Sequence, residues 1–133
     1  KLVFDATPSA FIASYEKREK VVQLSYSLGL EAGADSGVIS EVVWDGPAFR
    51  AGLSRGQQIV AVNWRTYSDD VLRDAVRATT AGSAPIELLI KSYDEYRTVR
   101  IDYHDGARYP HLERIADRPD RLGALLRPRT GVQ

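Results

Sequence analysis

The chain has no cysteine and no methionine in 133 residues. It therefore holds no disulfide and no thiol nucleophile, and cysteine usage leaves its redox compartment undetermined. Net charge is missing too: 18 Lys and Arg balance 18 Asp and Glu. No global field then favours nucleic acid or an anionic membrane. No apolar run approaches the roughly 20 residues that span a bilayer. Only two histidines occur, His104 and His111, seven apart and flanking a Gly and a Pro. A zinc peptidase helix needs His-Glu-x-x-His, with both histidines on one face and Glu as the base, and neither histidine lies in that pattern. Gly33 to Gly37 places Ser36 wrongly for a Gly-x-Ser-x-Gly elbow, and Gly29, Gly33 and Gly37 make no dinucleotide or phosphate loop. Internal repeats, low-complexity tracts and a signal-peptide pattern are also lacking. The abrupt start at Lys1-Leu2-Val3-Phe4 reads as a piece of a longer protein whose targeting signal would lie upstream. Such a signal would make the parent periplasmic or secreted; without one it would be cytoplasmic.

What remains is an ordinary globular mix, 44% hydrophobic and 27% charged, sized for one domain with extensions. Its most informative stretch is Asp45-Gly46-Pro47-Ala48-Phe49-Arg50-Ala51-Gly52-Leu53, followed by Arg55-Gly56-Gln57-Gln58-Ile59-Val60-Ala61-Val62-Asn63. Gly46 can cap a helix start, and Pro47 suits the first helical position, where its missing N–H costs nothing. Gly52 suits the left-handed position past a helix end, with Leu53 packing back over the last turn. A very short helix thus turns at Gly56 into a buried-type strand, which Asn63 closes.

Around this block, Lys1 to Phe4 suits a short strand, and Pro8 to Lys20 a helix capped by Ser9 with Phe11, Ile12 and Tyr15 on one face. Val21 to Tyr26 alternates as a strand, and Val38 to Trp44 reads as another. Ser68 caps a helix reaching about Thr80, near Gly82. Asp69 and Asp70 sit in its first turn, and Leu72, Val76 and Thr79 form its core stripe. Pro85 to Lys91 is a strand, Tyr93-Asp94-Glu95 a turn, and Tyr96 to Tyr103 a half-buried strand with Val99, Ile101 and Tyr103 inward. From Arg108 to Gln133 the chain is rich in Pro and Arg, with one short apolar helix pattern at Leu122, Leu125 and Leu126. Its arginines alternate with acids, as on a solvated face.

The order of elements, with the Ser27-Leu28-Gly29-Leu30 loop ahead of the central block, resembles a PDZ domain over roughly Leu24 to His104. That resemblance implies a mainly β, α+β fold: a partly open barrel or sandwich of five to six strands with two helices. The expected division is 1–23, an N-terminal extension or the end of an upstream domain; 24–104, the PDZ-like domain; and 105–133, a tail with a short helix. It also implies a site. Backbone N–H groups of Leu28, Gly29 and Leu30 in the Ser27–Leu30 loop would form a nest for a peptide carboxylate. The peptide would add as a strand beside Leu30, Glu31 and Ala32, facing Val71, Ala75 and Ala78 of the helix after Ser68. Val71 stands where many PDZ domains carry a histidine, so an apolar ligand residue is expected there. Two departures stand out: Gln57-Gln58 replaces the usual acid, and Trp64 replaces the usual Gly after Asn63. If that turn needs φ > 0, Trp64 is strained by about 1 kcal/mol or more; a different turn type would instead let it cover the sheet edge.

The flanks carry a narrower resemblance. Lys20 to Leu30, the Gly46 block, Glu95 to Tyr103, Tyr109-Pro110-His111-Leu112-Glu113-Arg114-Ile115 and Pro119-Asp120-Arg121-Leu122 look like the C-terminal region of the glycyl aminopeptidase family. These are bacterial zinc metallopeptidases with a C-terminal PDZ domain. The resemblance implies a non-catalytic module of a protease, with zinc expected in the parent's catalytic domain and no cofactor or metal in this fragment. Its partners would be a peptide or protein C-terminus, or the parent catalytic domain in cis. The other reading from the same features is a structural docking domain whose groove is filled in cis by the tail or the parent chain. A PDZ domain of a periplasmic serine protease fits the flanks less well.

Overall fold

Helix α1 (Ala10–Glu19) begins where Ser9 Oγ accepts the Ile12 N–H at 3.2 Å and stops at Lys20, whose φ of 54° turns the chain out of the helix. The computed structural model that shows this describes residues 1–112; the apolar pattern at Leu122, Leu125 and Leu126 lies outside them. Before α1 comes β1 (Leu2–Asp5), and after it β2 (Val21–Leu24), β3 (Leu30–Gly33) and β4 (Ile39–Val42). The short helix α2 (Pro47–Arg50) has Gly46 as its N-cap and Pro47 first. It ends as the glycine spacing requires. Gly52 is left-handed at φ 93°, and the Leu53 N–H reaches back to the Ala48 carbonyl at 3.1 Å. The remaining elements are β5 (Gln58–Val62), β6 (Arg65–Thr66), α3 (Asp69–Arg77), β7 (Ile86–Ser92), β8 (Glu95–Ile101) and β9 (Tyr109–Leu112).

Among the described residues the strands make three open sheets, ordered β1-β9, β2-β3-β4 and β6-β5-β7-β8. One core joins the second and third. Leu24, Leu28, Leu30, Ile39, Ile59, Leu72, Leu88 and Ile90 are all buried in it. The fold is mainly β with three α-helices, α+β in class and PDZ-like in its element order, with α1 and the β1–β9 ribbon added at the ends. The alternation read in β8 holds, with Val99, Ile101 and Tyr103 buried. So does the stripe of Leu72 and Val76 on α3, continued by buried Thr79 in the turn after it, and Ser68 Oγ caps α3 by accepting the Val71 N–H at 3.1 Å.

Three local expectations are corrected, and one strand that the sequence did not show is found. The strand expected over Val21–Tyr26 ends at Leu24, because the chain must turn tightly to bring Gly29 back to it. Helix α3 stops at Arg77 and tightens into a 3-10 turn over Ala78–Ala81, leaving Gly82 extended at φ −161°. On α1, Phe11 is exposed while the carboxylate of Glu16 is buried. Strand β9 has no apolar alternation of its own; it forms because Leu2–Asp5 offers an edge, with Leu2 opposite Leu112 and Asp5 opposite Tyr109.

Candidate strand-docking site

The loop between β2 and β3 is held from two sides. The Leu28 carbonyl accepts the Ala48 N–H at 2.8 Å, and the Gly29 carbonyl accepts the Val43 N–H at 2.8 Å. Gly29 sits at φ 80°, a backbone state that side chains other than glycine's rarely adopt. Leu28 and Leu30 point into the core and are fully buried. Ser27 is buried, and its N–H donates to the Leu24 carbonyl at 3.2 Å. The Gly29 N–H, the middle donor expected of the nest, also donates to the Leu24 carbonyl, at 2.8 Å. A main-chain oxygen of this chain thus lies against the loop where a ligand oxygen was expected.

Strand β3 is paired on both edges. On one edge lies β4; on the other lies β2, antiparallel, with Val21 opposite Gly33, Val22 opposite Ala32, Gln23 opposite Glu31 and Leu24 opposite Leu30. The edge beside Leu30, Glu31 and Ala32 that the sequence left open is therefore occupied. Helix α3 packs against β2 and β5. Of the groove-helix residues, Val71 and Ala75 are half-buried against the core, whereas Ala78 falls at the end of α3 and is exposed. On β2, Val22 and Leu24 are fully buried, and Val21 and Gln23 are half-buried.

Two carboxylates organise this region: Glu31, on the expected groove strand, and Glu16, which the sequence reading did not place at the site. Glu31 of β3 is buried, and it accepts from Gln23 Nε2 at 2.7 Å, Tyr15 Oη at 2.9 Å and Ser40 Oγ at 2.9 Å. The hydrogen bond to Glu31, followed by burial, raises the Tyr15 pKa. Glu16 of α1 accepts the Gln23 N–H at 2.8 Å and Arg73 Nη1 at 3.0 and 3.2 Å. Burial pulls the Arg73 pKa down, but the charge and hydrogen bond of Glu16 outweigh it and the net shift is upward. Glu16 thus ties the outer edge of β2 to α3. The signal that could have found it was the spacing itself: Glu16 follows Ile12 by one turn on the inward face of α1.

A second concavity, of about 710 Å³, opens between α1, the β1–β9 ribbon and the Ser25–Tyr26 turn; Phe11, Ile12, Tyr26 and Leu112 are among its walls. Both histidines have hydrogen-bond partners within the chain. His104 Nε2 lies 2.5 Å from Asp102 Oδ1, and His111 Nε2 lies 2.6 Å from the Thr7 carbonyl. Among the described residues no group of three or more His, Cys, Asp or Glu could hold a metal ion.

No family model matches this chain, and no curated protein matches it. Among solved structures it is similar to the HtrA3 PDZ domain bound to a phage-derived ligand, FGRWV. The two are 18% identical, with a TM-score of 0.46 over 77% of this chain and 88% of that one.

Proposed function

We propose that this chain is a non-catalytic, PDZ-like polypeptide-docking module that takes an extended segment by strand addition between β3 and α3. One observation carries the reading: an antiparallel strand with alternate apolar side chains fits that slot and ends at the Ser27–Leu30 loop, and the strand is β2 itself. A slot of this form offers main-chain hydrogen bonds for affinity and pockets for every second side chain. Residues 24–104 would be the docking unit, with 1–23 an N-terminal extension or the end of an upstream domain and 105–133 a C-terminal tail. On the resemblance of the flanks, the parent would be a zinc aminopeptidase, in which the module would present peptides or control access to the catalytic domain. A second reading is favoured by the same pairing: the module is structural, with its slot permanently filled by the chain's own strand.

The experiment is a titration of the ¹⁵N-labelled chain with extended peptides ending in a free carboxylate, with amidated copies as controls. Amide shifts confined to Leu30–Gly33, Gly29 and α3 would bear out docking. Binding that maps elsewhere would remove this site.

A further inference from the structure

We infer that β2 is a built-in occupant of the slot, latched by the Glu16–Arg73 ion pair, and that it gives way to a peptide with aliphatic residues at its last and third-last positions and a free C-terminal carboxylate. The inference rests on the strand-docking reading.

Three observations carry it. The first is register. Leu24 is opposite Leu30 and Val22 is opposite Ala32, so the two buried side chains of β2 take the places that a ligand's terminal and third-last residues would fill. Gln23 between them turns its amide outward to Glu16 and its side chain to Glu31. The second is the loop. The Gly29 N–H meets a neutral carbonyl, that of Leu24. A carboxylate accepting the same N–H makes a charge-assisted bond, about twice as strong as a neutral one. An incoming free C-terminus therefore has an advantage there that β2 lacks. The third is the tether. Only four residues of β2 lie in the slot, and what holds them from outside is Glu16, which joins the Gln23 N–H to Arg73 of α3. Both side chains of that pair are largely withdrawn from solvent, with 8% and 19% of their surfaces exposed. Loss of Arg73 leaves Glu16 buried without its counter-charge.

The test uses the full chain and its Arg73→Ala variant, with hydrogen exchange read at the amides of Val22, Leu24 and Gly29 and at Leu88 and Ile90 of β7. The probe is a peptide ending in Val-Val-Gln-Leu with a free carboxylate, beside its amide. The expected result is exchange at Val22, Leu24 and Gly29 that rises at least tenfold more than in β7. Affinity for the free-carboxylate peptide should rise at least tenfold in the variant, and in both proteins it should exceed that of the amide. If exchange rises equally in both places, the pair is only a general brace and the latch is refuted. If the wild-type chain binds the peptide as tightly as the variant, self-occupancy is refuted while the docking reading survives. If β2 opens selectively and neither peptide binds, the docking reading itself falls, and the ligand inferred here with it. Glu16→Gln, which keeps the shape and removes the charge, gives the same readouts if Arg73→Ala does not fold.

Discussion

Trp64 stands at φ 65° beside Asn63 at φ 49° in the turn between β5 and β6. Two successive positive φ values are the pattern of a tight hairpin turn that favours glycine at its second position. A side chain in the left-handed region costs about 1–2 kcal/mol. The indole is largely exposed and recovers one hydrogen bond, Nε1 to Glu87 Oε2 at 2.8 Å. An exposed bond of this kind does not offset the strain in full. Trp64→Gly should therefore stabilise the chain by about 1 kcal/mol, read as a higher urea midpoint at unchanged slope; a lower midpoint would show that the indole's contacts outweigh the strain. At the same scale, burial first and the charge of Asp69 second push the Tyr67 phenol to about 12, and burial first and Asp105 second push Tyr103 to about 12. Tyr67 donates to the Gly33 carbonyl at 2.7 Å and Tyr103 to the Gly106 carbonyl at 2.6 Å. Both pKa values lie above the unfolded value of about 10. Their contribution is whole below about pH 10 and is lost as pH rises through about 12. Stability should fall across that window, and the fall should be shallower in a Tyr67→Phe, Tyr103→Phe double variant. An equal slope in the two proteins would assign the loss to other groups.

At the scale of elements, β2 decides the character of the site. Its strand pattern is visible in Val21-Val22-Gln23-Leu24, and the loop after it is visible in Leu28-Gly29-Leu30. Where β2 goes is not visible, because its alternation serves equally well on any edge of either sheet. The structure resolves that ambiguity through groups distant in sequence: Arg73, 57 positions after Glu16, and Glu31, reached by Tyr15 across 16 positions. Capping is different, since it depends on neighbours only. Ser9, Gly46, Gly52 and Ser68 all stand where their local chemistry puts them. Arg73→Ala should also lower global stability by about 3 kcal/mol, near the lower end for breaking a buried ion pair. A loss under about 0.5 kcal/mol, in the range of a surface pair, would contradict the burial of Glu16.

For the whole molecule, the two ends of the described residues are part of the architecture. The expected boundary between residues 23 and 24 falls inside β2, and β1 pairs with β9 to join Leu2–Asp5 to Tyr109–Leu112. Pro110 and the short reach of β9 hid that pairing from the sequence, because a ribbon of two strands needs its partner to be recognised at all. The proposal of a zinc-peptidase parent comes from flank residues alone, and the account of the slot stands apart from it. That account has a direct chemical test, because the chain has no cysteine to interfere. Gln23 and Glu31 face each other across β2 and β3, and the Gln23 N–H points away from β3 to Glu16. They are therefore a close, non-hydrogen-bonded pair, the spacing that a disulfide bridges well. The measurement is the affinity of a Q23C/E31C double variant for a peptide ending in Val-Val-Gln-Leu with a free carboxylate, before and after reduction. If β2 and the ligand share one slot, the oxidised protein does not bind and the reduced protein does. Equal affinity in the two states would place the ligand elsewhere and contradict the account.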